Sequence, residues 1–101
     1  MIKLYEEPDN GFVGIHFDED LNAWMMHMDC KDWSIDTFKR YRNIWKEIII
    51  PQLKDKGINE IYGLCESTKA VKFNIMFGVY PTGHEVTTTD GMKQVLTKGV
   101  F

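Results

Sequence analysis

The chain has 101 residues, of which 44% are hydrophobic, and a formal net charge of −3. This length fits one domain over residues 1–101 and is enough for a hydrophobic core without disulfide bonds. The negative charge excludes a general attraction to nucleic acid, and no apolar run approaches the length of a membrane span, so a cytoplasmic protein is expected.

The first third of the chain predicts an antiparallel meander of three strands. Runs of apolar and β-branched residues fall at 2–5, 12–17 and 23–28, and polar turn segments separate them. With no strand before it, the first run is expected at the open edge of the sheet. Its residues Ile2, Lys3, Leu4 and Tyr5 are therefore predicted as an edge for a protein partner or a second copy of the chain.

A long helix follows the meander. Apolar residues recur at spacings of three and four from Ile35 to Leu53, which predicts an amphipathic helix of about twenty residues. Ser34 is the expected N-cap and Gly57 the residue that closes the helix. Pro51 removes one internal hydrogen bond, so it either kinks the helix or ends its regular part, and the sequence leaves both open.

The remaining elements complete the fold class. Residues 58–65 predict a strand parallel to its neighbour, since a long helix connects them, and a second helix begins at Thr68 or Ser67. Residues 79–83 are expected to turn the chain. Strands at 84–89 and 92–96 then follow, joined by a two-residue Asp90-Gly91 turn. The predicted fold is α/β (α+β), with a mixed, mainly antiparallel sheet in the order βββ-α-β-α-ββ.

The second helix carries the residues that suggest a family: Ser67, Ala70, Phe73, Asn74, Gly78 and Val79. Together with the order of elements, this run resembles N-x-x-A-x-x-F-Y-x-x-x-G-F of the Gcn5-related N-acetyltransferases (GNAT). The resemblance implies a truncated GNAT-like fold that lacks the first strand and the first two helices. The chain also resembles small degenerate acetyltransferase-like proteins of tailed phages, including internal virion proteins, which would place it in the host cytoplasm or the virion.

Departures from the family pattern bear on its chemistry. The Gly-rich loop before the long helix is replaced by a segment with three acids, Asp29, Asp32 and Asp36, and the usual tyrosine acid by Asn74. An anionic diphosphate would be repelled there, and asparagine is no proton source. We therefore expect a protein that has lost acetyl-CoA catalysis, needs no cofactor and acts by protein binding, as a virion, accessory or host-targeting inhibitor protein. The alternatives are an active small N-acetyltransferase using acetyl-CoA, and an unrelated small α/β binding module.

The enzyme alternative has its own candidate residues. His27, on the third strand, could act as general base at neutral pH, with Asn74 as the second catalytic position. The resemblance implies that acetyl-CoA would contact Met28, Cys30, Cys65, Ser67 and Asn74. The two cysteines follow adjacent parallel strands, so they are expected near one another, either as a reactive pair or as two buried apolar side chains.

Other candidate features are weaker. His16 and His84 have no second ligand at a recognisable spacing, so no metal site is predicted. Basic residues Lys39, Arg40, Arg42 and Lys46 interleave with apolar positions of the long helix. They are expected to form its solvated face or to contact an acidic protein partner.

Overall fold

A computed structural model describes residues 1–32 and 34–101. Within these residues, six strands form one sheet in the order β1-β2-β3-β4-β6-β5, and only the β3–β4 pair is parallel. The strands are β1 (Ile2–Glu7), β2 (Gly11–Asp18), β3 (Ala23–Cys30), β4 (Glu60–Cys65), β5 (Tyr80–Thr87) and β6 (Lys93–Val100). The predicted mixed, mostly antiparallel α+β architecture is confirmed at this level.

The first three strands form the predicted meander. Asn10 N–H donates to the Glu7 carbonyl at 3.0 Å in the first turn, and the second turn pairs Asp18 with Ala23. Strand β1 lies at the edge of the sheet. Its pairing with β2 shifts around Leu4, whose carbonyl accepts a hydrogen bond of 3.0 Å from Gln52 Nε2.

The long helix runs through Pro51 without ending there. It consists of α1 (Ile35–Ile44), a π-helical segment (Trp45–Ile49) and α2 (Ile50–Asp55). In the π-helical segment Ile50 N–H bonds to the carbonyl of Trp45, five residues back. Pro51 has no N–H to donate, and its ring would clash with a carbonyl one regular turn earlier. The wider turn accommodates both effects.

The π-helical segment also explains the spacing of the buried residues. Tyr41, Trp45, Ile49 and Leu53 are buried and fall on every fourth position. In a regular α-helix such a row drifts around the axis by about 40° at each step. A wider turn rotates less per residue, so it returns the later members of the row to the sheet.

Both helix ends of this element are capped as predicted. Thr37 N–H donates to Ser34 Oγ at 3.2 Å at the start. At the end, Gly57 has φ of 75°, and Ile58 N–H donates to the Leu53 carbonyl at 2.8 Å. This is the Schellman arrangement, which satisfies a carbonyl that the helix leaves free.

The second helix, α3 (Thr68–Met76), is capped by Ser67. Ala70 N–H donates to Ser67 Oγ at 3.1 Å. Gly78, with φ of 81°, closes the helix, and Val79 N–H reaches the Asn74 carbonyl at 2.9 Å. The predicted start and stop of this helix are confirmed.

The predicted turn over residues 79–83 is wrong, because β5 already begins at Tyr80. Pro81 lies within this strand, which is possible because β5 is an edge strand and no ladder bond depends on its missing N–H. The pairing with β6 shifts between Pro81 and Glu85, where Gly83 has φ of 87°. A bulge therefore takes the place of the expected turn.

The β5–β6 hairpin has a loop one residue longer than predicted. Thr88 N–H donates to the Met92 carbonyl at 2.8 Å and closes a three-residue loop. Gly91, with φ of 83°, occupies the left-handed position that such loops require.

Both helices pack on one face of the sheet. The buried cluster joins Val13 and Ile15 of β2 and Ile61 of β4 to Tyr41, Ile49 and the rest of the helical row. Asn74 of α3 meets Gly63 and Thr97 on this same face. The opposite face carries His16, Met25 and Tyr62 and is not covered by any helix that the structure describes. No helix among residues 1–32 and 34–101 is long and apolar enough to cross a membrane.

Candidate functional site

A groove runs between α1 and α3, and we call it the α1–α3 groove. Two connected clefts of about 390 and 290 Å³ form it, and they share Arg42 and Met76. Its floor consists of Phe38, Trp45, Phe73, Met76 and Phe77, and its rim of Lys39, Arg42 and Lys46.

The floor is aromatic and partly open to solvent. Phe38 lies 6.1 Å from Phe73 and 5.5 Å from Phe77 between ring centres, and Trp45 lies 5.9 Å from Phe77. Met76 of the floor is 53% exposed, and Ile35 at the margin is 74% exposed. An open apolar surface of this kind on a small protein is typical of an interaction site.

The rim is a row of basic side chains with no ionic partner among residues 1–32 and 34–101. Lys39, Arg42 and Lys46 are exposed and form no salt bridge with any residue that the structure describes. Arg40 differs from them, because its guanidinium donates two hydrogen bonds to the Glu7 carboxylate at 2.9 and 3.1 Å. The structure thus divides the predicted basic stretch into one structural arginine and three available cations.

The floor also holds an unused hydrogen-bond donor. Trp45 is 3% exposed, and its indole Nε1 is buried without a hydrogen-bond partner among the described residues. Buried N–H groups nearly always have an acceptor. The nitrogen itself is buried, so an occupant of the groove does not reach it in this conformation.

A second, smaller cleft lies between β3 and α3. The parallel strands β3 and β4 pair at Met25 and Tyr62. Met28 and Asn74, both predicted as cofactor contacts, line a cleft of about 180 Å³ there.

Asn74 connects α3 to the sheet. Its Nδ2 donates to the Ala70 carbonyl at 2.9 Å, and its Oδ1 accepts from Thr97 Oγ1 at 3.0 Å. Thr97 Oγ1 also lies 3.2 Å from the Gly63 carbonyl. A Cβ on Gly63 would come within 2.8 Å of both side-chain oxygens, so this junction requires glycine. These contacts give Asn74 a structural role.

The other predicted cofactor contacts are engaged elsewhere. Cys30 and Cys65 are free thiols and both are buried. The Cys30 thiol lies 3.2 Å from the Asp32 carbonyl, and burial raises the pKa of the Cys65 thiol, which a hydrogen bond with Thr97 partly offsets. Ser67 uses its hydroxyl to cap α3.

His27 lies on the opposite face of the sheet from Asn74. Its neighbour is His16, and the contact joins His27 Nε2 to His16 Nδ1 at 2.5 Å. Burial and then the charge of His16 lower the pKa of His27. The structure therefore does not bring the two predicted catalytic residues together.

The predicted partner-binding edge is tied to α1 through Glu7. This carboxylate accepts hydrogen bonds from Tyr5, Asn10, Tyr41 and Arg40. Burial opposes its ionisation, but these hydrogen bonds outweigh burial and lower the pKa of Glu7 to about 2. Strand β1 is thus tied to α1 and still lies at the edge of the sheet.

Comparison with known proteins found no matching family model, no matching curated protein and no matching solved structure. Sequence reasoning missed the apolar floor and the contact between His16 and His27. A usable signal existed for the second. The hairpin that pairs Asp18 with Ala23 places Gly14 opposite His27, and His16 is then its diagonal neighbour.

Proposed function

We propose that this protein is a binding domain whose α1–α3 groove takes an acidic amphipathic helix of a protein partner. The observation that carries the proposal is the combination of an aromatic floor with the unpaired row Lys39, Arg42 and Lys46. A partner helix would place apolar anchors at spacings of three and four on the floor. Its carboxylates would meet the rim.

Electrostatics favour this partner over a basic one. The chain has a net charge of −3, so the three cations beside this groove, which form no salt bridge within the described part of the chain, are opposite in sign to the net charge. Complementary charges at the rim of an interface mainly raise the association rate and select the partner, while apolar anchors supply most of the affinity.

The scaffold in this proposal is a truncated GNAT-like fold that has lost acetyl-CoA catalysis. The parallel pairing of strands β3 and β4, each followed by a helix, supports the scaffold. The residues present do not fit the cofactor. Asp29, Asp32 and Asp36 are exposed near the start of α1, and no glycine occurs over residues 29–36. The β3–α3 cleft of about 180 Å³ is also small, since ligand pockets usually begin near roughly 300 Å³.

The groove is a better docking surface than the edge of β1. That edge carries Lys3 and an irregular register beside Leu4, followed by Pro8. Natural sheets use such features to prevent pairing with another chain. Homodimerisation through β1 remains the competing outcome, and light scattering at high protein concentration measures it.

The test uses three synthetic sixteen-residue peptides with the same composition of apolar anchors. One is an amphipathic helix with glutamates beside the anchors, one replaces the glutamates by lysines, and one is a scrambled acidic sequence. We expect the acidic helix alone to bind, with affinity that falls as salt rises. Amide chemical-shift changes should fall on α1 and α3.

Charge reversal provides the matched control. The double variant Arg42→Glu/Lys46→Glu should bind the acidic peptide at least about tenfold more weakly, which is about 1.4 kcal/mol. It should bind the lysine peptide more tightly than the native protein does. Lys93→Glu changes an exposed lysine at the start of β6 and should alter neither. Equal binding of all three peptides, or binding unchanged by the double variant, contradicts the proposal. A rise in melting temperature with millimolar acetyl-CoA would instead support the N-acetyltransferase alternative.

A further inference from the structure

Two lysines of α3 lie on the other side of the α1–α3 groove from the basic row of α1. Both Lys69 and Lys72 are exposed. Lys69 Nζ lies 5.9 Å from the ring centre of Phe73, which lines the larger cleft of the groove. Lys72 precedes Met76 by four positions, so the two side chains share one face of α3, and Met76 lines both clefts. We call Lys69 and Lys72 the α3 rim, and the basic row described above the α1 rim.

The charges of the α3 rim are not neutralised by an ion pair. Neither Lys69 nor Lys72 forms a salt bridge within residues 1–32 and 34–101. Asp36 and Glu47 are exposed acids of the long helix, but they line neither cleft. An occupant of the groove therefore meets cations on both sides.

The two helices run in the same sense along the groove. The larger cleft is formed by Ile35 of α1 with Phe73 of α3, and the smaller cleft by Ile50 with Tyr80, which follows α3. Later residues of both walls thus lie towards the same end.

The two rims consequently differ in length. The α1 rim spans the whole groove, because Lys39 lines the larger cleft and Lys46 the smaller one. The α3 rim lies at the larger cleft alone, because Lys69 and Lys72 come before the α3 residues that line the groove. Beside the smaller cleft, the α3 wall ends in uncharged residues such as Tyr80.

We propose, building on the function proposed above, that the helix bound in this groove carries acidic side chains on both flanks of its apolar stripe. A long acidic row faces the α1 rim, and a short row at one end of the helix faces the α3 rim. Turning the helix end for end exchanges its flanks together with its ends, so the long row would then face the short α3 rim. The unequal rims therefore give the bound helix a single direction. Charges at the edge of an interface act in this way, by fixing register and selecting the partner.

The test uses two sixteen-residue peptides with identical composition and identical apolar anchors. Both carry glutamates along one flank over the whole length. One peptide carries the second row of glutamates in its N-terminal half and the other in its C-terminal half. Both are acetylated and amidated, so that no terminal charge contributes. Only one of the two can place both rows beside cations, so we expect their affinities to differ by about three- to tenfold, the effect of two exposed ion pairs.

Substitutions in α3 show whether this difference originates in the protein. The double variant Lys69→Gln/Lys72→Gln should bind both peptides equally. Any difference that it retains comes from the helix stability of the free peptides, which glutamates near the N-terminus increase. Lys93→Gln, at an exposed lysine at the start of β6, should discriminate between the peptides as the native protein does.

The direction of the bound helix can be measured with a nitroxide at the N-terminus of the tighter peptide. It should broaden amide signals at one end of the groove only, either near Ile35 or near Tyr80. Broadening at both ends, equal affinities for the native protein, or a difference unchanged in Lys69→Gln/Lys72→Gln would overturn this inference and leave the proposed function standing. Binding of neither peptide would refute the proposed function itself.

Discussion

Replacing Glu7 by Gln should destabilise the protein far more than replacing its neighbour Glu6. Glu7 accepts hydrogen bonds at 2.8 Å from Tyr5 and Asn10, at 3.0 Å from Tyr41 and at 2.9 and 3.1 Å from Arg40. A glutamine keeps the shape but has one acceptor oxygen, and its amide group faces donors. Some of these donors would therefore lose their acceptor.

The magnitude follows from the ionisation of Glu7. Its pKa is about 2, against an ordinary 4.5, and each unit is about 1.4 kcal/mol. The side chain is 19% exposed, so solvent screening reduces the full difference to about 2 kcal/mol. For a domain of this size, that lowers the melting temperature by roughly 8–16 °C.

The stabilisation by Glu7 should depend on pH in a definite direction. A carboxyl whose folded pKa is depressed contributes stability above its unfolded pKa and loses it as the pH falls through the folded value. The difference in free energy of unfolding between the native protein and Glu7→Gln should thus have its full size above pH 4.5 and shrink towards pH 2. Urea unfolding followed by tryptophan fluorescence measures it at each pH.

Glu6→Gln is the matched control, because the one ion pair that Glu6 forms among the described residues is with exposed Lys3. Exposed pairs of this kind are typically worth less than about 1 kcal/mol. Equal midpoints for native protein and Glu7→Gln at pH 7, or a gap that stays constant down to pH 3, would refute this reasoning.

Three further results are expected. Gly63→Ala should cost about 1–3 kcal/mol in chemical unfolding, because the new methyl group meets the oxygens of Asn74 and Thr97. Stability should fall as the pH drops below about 6.5, since the pKa of His27 is lowered and the unfolded chain binds the proton more readily; His27→Gln should flatten this slope. Cys65 should react with a maleimide at neutral pH only as fast as the protein opens, because burial raises its thiol pKa.

Controls for these results come from the same chain. Gly57→Ala, at a positive φ with open space around it, should cost only about 1 kcal/mol through backbone strain. His84→Gln should leave the pH slope as it is. Fast labelling of Cys65 in the native protein would contradict the packing described above, and so would a Gly63→Ala variant whose free energy of unfolding is unchanged.

Local features of the fold were predictable because local chemistry determines them. Ser34 and Gly57 mark the ends of the long helix, and Ser67 and Gly78 those of α3, through hydrogen bonds within a few residues. The β5 start was missed for a non-local reason. Pro81 signals a turn in sequence, and only its place on an edge strand makes it compatible with β structure.

The candidate sites depend on contacts between distant residues. The bond between Arg40 and Glu7 spans thirty-three positions and removes one cation from the basic stretch. Sequence alone cannot separate Arg40 from Arg42 in this way. The aromatic floor likewise needs Phe38 of α1 beside Phe73 of α3. The His16–His27 contact was within reach, since a hairpin register follows from its turn.

The π-helical segment sets the direction in which the rim of the groove points. One residue more or fewer in a helix rotates everything before it by about 100° relative to everything after it. The part after the segment is fixed to the sheet by Leu53 and the Ile58 cap. Lys39 and Arg42 come before it, and the wider turn absorbs the extra residue without this rotation, so the basic row keeps its direction relative to the sheet. Deleting Glu47 together with Pro51→Ala should therefore give a regular helix that melts cooperatively and still prefers acidic to basic peptides.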